Sequence, residues 1–459
     1  MGTNYGGAIN RFIQAFSEAR ARTLDLIADL SDEQMIGPRL AIVNPLRWEI
    51  AHVAWFQEYW ILRRLRQQKP ALSHGDGLYD SARVAHDTRW ELPLPSKAET
   101  IGYMQSILDR VLEQTHAGAA CEVNGYDETY FLQLALFHED MHAEAITYAR
   151  QTLNYPMPHF TAAQDAPETG KRVESDGSAY SASPPNLKLG DAKIPGGRFL
   201  LGSAQDLSFV FDNEMWPHLI EVKPFEISRT VVTNAEFLDF VRDDGYQRAE
   251  FWDQDGWRWR QNVGAEHPVY WKPLSGDRWL RRNFDQLVPL EDHLPVLHVN
   301  WYETSAYCRW AGRRLPTEAE WEMAASSEPA TDGQGITEHK RLYPWGDSPP
   351  TPERANLDWR NMGCIEAHAL PASESAFGCR QMIGNTWEWT ASAFEPYPGF
   401  VAGPYKEYSA PWFGDHKVLR GGCWATRSRL IRNNHRNFYK PDRRDVWAGF
   451  GACALSNER

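Results

Sequence analysis

The chain reads as an α+β protein in two parts: a four-helix bundle over residues 1–160 and an irregular α+β domain over 193–459. Three observations predict this. Residues 1–160 carry long stretches of helical hydrophobic period with short breaks. Residues 161–192 are rich in Ala, Ser, Pro, Gly, Asp and Glu without any hydrophobic period, which is the composition of a linker. From Lys193 onward the segments shorten, with many Gly and Trp and few long helices.

In chain order, the first helix is expected over Ala8–Leu30, with Ser31-Asp32-Glu33 as its turn. The second begins at Asn44-Pro45, where Asn suits an N-cap and Pro the first helical position, and runs to Trp60. On it His52 shares a face with Trp48, Trp55, Phe56 and Tyr59. A polar loop, Leu78–Trp90, holds Arg83 and Arg89; long structured loops are usually functional. A third helix spans Lys97–Ala117. The fourth carries Phe137-His138-Glu139-Asp140-Met141-His142-Ala143-Glu144, in which Phe131, Leu134, Ala135, His138, Met141, His142 and Ala145 keep a helical period. Two histidines four apart project from one helical face and can grip one metal ion. A hydrogen-bonded pair of core histidines is the alternative, but His52, a third histidine inside an apolar stripe, favours the metal. Burying an imidazole without a partner is costly, ligation satisfies it, and bundles build metal sites from inward-facing side chains. In the second part, Ile194–Ser203 reads as a strand with glycine turns, Trp301–Ala311 as a helix, and Thr317 with Glu320 as the capping box of the next helix.

Composition excludes several classes. The net charge of −13 argues against a nucleic-acid or anionic-membrane partner. No apolar run approaches the roughly 20 residues that span a bilayer, and the start has neither a signal-peptide core nor a myristoylation site. The six cysteines show no paired metal spacing and no disulfide framework. Reduced thiols in a cytoplasmic protein are expected; nothing in the sequence signals an oligomeric state.

Several motifs carry a resemblance. Ile194–Ser203, Asp212-Asn213-Glu214, Val232–Phe237, Pro295–Ala325, Tyr343-Pro344-Trp345-Gly346-Asp347, Gly384–Trp389 and Leu419-Arg420-Gly421-Gly422 resemble the formylglycine-generating-enzyme fold, a variant of the C-type lectin fold. The first part resembles the DinB-like four-helix metal-binding bundle. Together they resemble the iron-dependent enzymes that join sulfur or selenium to the imidazole of hercynine, the ergothioneine and ovothiol sulfoxide synthases and the selenoneine synthases. The resemblance implies a mononuclear non-haem Fe(II) held by His52, His138 and His142, with open positions for substrate and O2. It also implies that the trimethylammonium of hercynine sits near Asn437 and Phe438, where an aromatic face attracts a quaternary ammonium.

The chain departs from that pattern in places. Met141 stands where ergothioneine synthases have the second Gln of His-Glu-Gln-Gln-His. Tyr439 stands where bacterial γ-glutamylcysteine users have an Asp, while Arg443 remains. The segments Val84–Trp90 and Thr147–Leu153 look most like the selenoneine synthases. The resemblance therefore implies formation of a C–Se bond between hercynine and a selenosugar, giving selenoneine, with γ-glutamylcysteine or cysteine as the alternative donor. Arg83 and Arg89 are candidates for donor contacts, and Tyr397, Phe400 and Tyr405 cover the segment where the sulfoxide synthases place an active-site Tyr. Two rivals remain. His138-Glu139-x-x-His142 also satisfies the zinc-protease pattern, with Glu139 as general base. A formylglycine generator would need a cysteine pair, and the spacing of Cys423 and Cys453 does not match.

Overall fold

The computed structural model describes residues 2–117, 122–161, 189–204, 207–332 and 334–455. Its first part contains α1 (Gly2–Asp25), α2 (Asp32–Ile36), α3 (Leu46–Gln57), α4 (Gly75–Tyr79), α5 (Lys97–Ala117) and α6 (Glu128–Thr152). The long helices α1, α3, α5 and α6 pack as a four-helix bundle, with α3 against both α5 and α6. Asp127 caps α6 by accepting from the Tyr130 amide. At the bundle centre Arg20 donates to Glu139 (2.9 Å) and Gln57 (2.8 Å), and Glu139 also accepts from Thr23 (2.9 Å) and Gln57 (2.6 Å).

The sequence expectations for this part need four corrections. The first helix, expected over Ala8–Leu30, spans Gly2–Asp25, and the chain turns before Leu30. Ser31 starts a short helix rather than ending one, because its hydroxyl and Gln34 form a capping box. Asn44 is not the cap of α3; Pro45 takes that position, and the Asn44 side chain is engaged by Glu49 and Arg89. The α-helix expected through Trp60 ends at Gln57 and continues as a π-helix, Glu58–Leu65. There the buried Glu58 carboxylate accepts from the Tyr103 hydroxyl and the Ala71 amide, side-chain bonds that no local propensity encodes.

Most of the expected linker lies outside the described residues, and its last two residues, Asp191 and Ala192, already open a strand, Asp191–Ile194. Four strands form one sheet in the order Arg313–Arg314, Cys453–Ala454, Phe225–Ser228, Asp191–Ile194. A second sheet runs Asn437–Tyr439, Lys417–Arg420, Trp387–Ala393, Ala448–Gly449, with Val418 opposite Phe438 and Glu388 opposite Arg420. Helices α7 (Asn234–Arg242), α8 (Gln254–Val263), α9 (Trp301–Trp310) and α10 (Glu318–Ser326) complete this part. The Thr317–Glu320 capping box of α10 forms as expected. Among the described residues no helix is long and apolar enough to cross a membrane, and the five described cysteines are free.

The two parts meet along α6. Asp140, Glu144, Thr147 and Gln151 recur at spacings of four, three and four, which aligns them on one helical stripe. Each is bonded across the junction. Arg429 pairs with Asp140, while Trp387 and Thr426 donate to Glu144 (both 2.6 Å). Trp359 donates to Thr147 (2.9 Å), and Gln151 bonds the Arg282 carbonyl and the Phe284 amide.

Replacing Glu139 by Ala leaves Arg20 buried without its carboxylate. The expected cost is about 3–5 kcal/mol, read as a lower denaturant midpoint; an unchanged midpoint would contradict this account of the bundle.

Candidate metal centre

His52 projects from α3, and His138 and His142 from successive turns of α6. One ligating atom from each lies within 4.8 Å of the others. The ring centroids are 5.0 Å apart for His52 and His138, 5.1 Å for His52 and His142, and 4.4 Å for His138 and His142. Nδ1–H of His52 donates to the Tyr79 carbonyl (2.7 Å) and that of His142 to Glu49 (2.9 Å). In both rings this leaves Nε2 for the ion, the arrangement in which an outer partner fixes a ligand's tautomer.

His138 supplies the test of fit. It is 1% exposed, and neither ring nitrogen has a hydrogen-bond partner among the described residues. Phe56 lies flat on the ring, with centroids 3.6 Å apart and planes 5° from parallel. A buried, unpaired polar group costs about 1–3 kcal/mol, and a metal ion among the three imidazoles relieves one of the two by taking the lone pair of one ring nitrogen. Burial holds His52 and His138 well below the usual histidine range, and His142 adds to the effect. Both are therefore neutral, as a ligand must be. Three imidazole ligands suit a first-row divalent ion and leave coordination positions open.

The centre opens into a cavity of about 660 Å³ lined by both parts of the chain. Of the residues expected from sequence, Met141, Arg89, Tyr405, Asn437, Phe438 and Tyr439 line it with the three histidines. Tyr405 stands 5.8 Å from His138 and 4.8 Å from Phe56, centroid to centroid, and burial raises its phenol above the usual range. Arg89 lies 3.7 Å over Trp48, which stacks on His52 at 4.8 Å, and donates to Asn44 (2.6 Å). Burial lowers Arg89 to about 10, so it stays charged at neutral pH.

Four expected residues lie elsewhere. Tyr397 donates to Glu318 and is covered by Arg436, so its hydroxyl is taken up in a separate buried cluster. Phe400 packs edge-on against Phe413. Arg83 is 68% exposed, pairs with Asp80, and lines a neighbouring cavity of about 370 Å³. Arg443 is paired with Asp445 behind Tyr439 and supports that ring rather than facing the cavity.

Sequence reasoning missed Glu49, which orients His142, and the walls formed by Glu144, Trp387, Tyr408, Trp412 and His435. Trp387 and His435 sit inside or beside motifs that carried the resemblance, which was the available signal; nothing local marks Tyr408 or Trp412.

The two rival readings meet obstacles. Glu139 is fully buried and bonded to Arg20, Thr23 and Gln57, so it has no access to the centre as a general base. Cys453 pairs in a strand with Arg314 and Ile227, while Cys423 lies beside Thr426; burial raises both thiols.

A bundle that brings three histidines together and a second domain that walls the resulting cavity define a two-domain protein with a candidate metal site at the junction. Residues 15–146 match the DinB superfamily, and residues 182–454 match the sulfatase-modifying factor enzyme 1-like domain. The chain is 37% identical to the hercynine oxygenase of Mycobacterium tuberculosis, over 94% of this chain and 96% of that protein. It is 34% identical to the hercynine oxygenase of Mycolicibacterium thermoresistibile, over 94% and 92%. Its second part is 31% identical to the formylglycine-generating enzyme of Streptomyces coelicolor, over 56% of this chain and 84% of that enzyme. The chain belongs to the hercynine oxygenase family.

Replacing Glu49 by Gln should weaken metal binding about 10- to 100-fold, measured by equilibrium dialysis. Replacing His138 by Ala should abolish stoichiometric binding without unfolding the chain. In metal-free protein, His52 and His138 take up protons less readily folded than unfolded. The unfolded state then binds more protons below about pH 6.5, and stability falls as pH drops through that range. The urea midpoint should fall between pH 7.5 and 5.5, and fall less in His138→Ala.

Proposed function

We propose that this chain is an Fe(II)- and O2-dependent oxidoreductase that replaces the C–H bond at the imidazole carbon between the two nitrogens of hercynine by a bond to the selenium of a selenosugar, with O2 accepting the electrons, and that cleavage of the sugar–selenium bond then gives selenoneine. The family relationship supports hercynine and O2, and the three-histidine centre supports the metal. When bound, Fe(II) supplies a redox-active, Lewis-acidic centre for dioxygen and a soft donor. His52, His138 and His142 hold it.

The cavity walls suit a quaternary ammonium ligand. Trp387, Tyr408, Trp412 and Phe438 offer aromatic surface, and Glu144 offers a carboxylate. Phe438 is backed by Phe394 at 4.0 Å, which fixes the orientation of its ring. Asn437 at the same wall can hydrogen-bond the carboxylate of hercynine. Tyr405, whose phenol burial keeps protonated, holds a proton at Oη beside the metal ligands and is the proposed proton donor.

The choice of donor rests on charge. Arg89 is the one Arg or Lys among the described cavity-lining residues; its guanidinium lies over Trp48 and donates to Asn44 and the Val84 carbonyl. Glu144 and Glu407 line the same space. A dipeptide with two carboxylates would enter with little to pair them, whereas a neutral, hydroxyl-rich selenosugar meets hydrogen-bonding groups on Asn44, Ser81 and Glu407.

The test loads anaerobic protein with Fe(II) and offers hercynine, air, and 1-selenoglucose in competition with γ-glutamylcysteine and cysteine, with products read by mass spectrometry. Preferential use of the selenosugar is expected. Preference for a thiol would overturn the donor assignment, and no O2-dependent consumption of hercynine with any donor would overturn the function. Tyr405→Phe should lower kcat about 100-fold with the KM for hercynine within about threefold.

A further inference from the structure

We propose that Asp140 and Arg429 are a positioning pair that sets the register between the metal helix and the segment of the second domain that walls the cavity. Asp140 lies midway between His138 and His142 in sequence. At 3.6 residues per turn it is about 200° around α6 from either of them, on the face turned away from the ion. That face is buried against the second domain, and Asp140 is 2% exposed.

Its carboxylate receives a bidentate contact from Arg429, Nε to Oδ2 and Nη2 to Oδ1, both 2.6 Å. The remaining Arg429 nitrogen, Nη1, donates to Glu18 of α1 (2.8 Å). Arg427 spans the same junction, pairing with Glu18 and with Asp358 (both 2.8 Å). Two arginines two residues apart therefore tie one turn of the second domain to two helices of the bundle.

The chain that leaves this turn is the cavity wall. Leu430 follows Arg429 directly, and His435, Asn437, Phe438 and Tyr439 come within ten residues. A planar guanidinium bound through two parallel N–H···O contacts fixes orientation as well as distance. Rotating α6, which would swing His138 and His142, breaks that geometry. The pair thus sets the distance from the ion to the pocket wall without touching either. Neither residue is a metal ligand, and the three histidines that hold the ion all belong to the bundle. Metal binding and pocket geometry are therefore separable, which a purely stabilising ion pair would not make them.

Arg429→Gln is the test, with Arg429→Lys as the variant that keeps charge but loses the bidentate fork. Co(II) affinity, followed by the visible absorption of the bound ion, should stay within about threefold of wild type. Amide hydrogen exchange over residues 427–435 should speed up at least fivefold, while α3 and the α6 segment around the histidines stay protected. Arg429→Lys should fall between the two. Unchanged exchange over 427–435 overturns the proposal. So does parallel loss of Co(II) affinity and of α6 protection in both variants, which marks the pair as structural only. Where hercynine turnover is established, its KM should rise about tenfold in Arg429→Gln with kcat changed less, and an unchanged KM also overturns the proposal. The kinetic arm rests on the function proposed above; the exchange and Co(II) arms do not, so failure of that function leaves this assignment decided.

Discussion

His138 is buried between α3 and α6 with both ring nitrogens short of a hydrogen-bond partner among the described residues, and the bundle cannot relieve that cost by turning the ring outward. Phe56 covers one face, Tyr405 stands edge-on nearby, and His52 and His142 crowd the nitrogens. The other two imidazoles each give one N–H to a fixed acceptor and keep a lone pair free. Lone pairs from three imidazoles converging in a buried site match a cation, which satisfies them without a proton. The surrounding structure follows from holding that arrangement in place: Trp48 and Arg89 stack on the His52 side, Glu49 holds His142, and the Arg20–Glu139 pair locks α6 against α1 from within.

Helix α6 therefore works on several faces at once. His138, Met141, His142 and Ala145 look toward the cavity or the bundle, and Asp140, Glu144, Thr147 and Gln151 grip the second domain. Glu144 belongs to both surfaces, since it lines the cavity while Trp387 and Thr426 hold both of its oxygens. A helix with so many polar obligations is poorly described by a single hydrophobic stripe, and it depends on the second domain to satisfy groups that a free-standing bundle would bury unpaired.

Much of this was legible in the chain. The four long helices follow from periodicity, and Lys97–Ala117 was bounded as observed. The histidine triad was readable because His52, His138 and His142 each interrupt an apolar stripe. Element ends were less legible: Asn44 has the chemistry of a cap, yet tertiary partners claim its side chain. The aromatic segment around position 400 was ambiguous for a similar reason. Tyr397 and Tyr405 are equivalent as sequence, and Arg436 with Glu318 removes one of them from the cavity.

The sequence alone determined the two-part α+β architecture and the three imidazoles, because both are written in local period and in residues whose burial demands a partner. The tertiary structure decided that Tyr405 and Arg89 line the cavity while Tyr397 and Arg83 do not, and that Glu139 is a buried partner of Arg20 rather than a base. It also brought Glu144, Trp387, Tyr408 and His435 to one wall. Those choices depend on where side chains hundreds of residues apart find complementary charge and hydrogen bonds. Spacing along the chain carries no record of such distances.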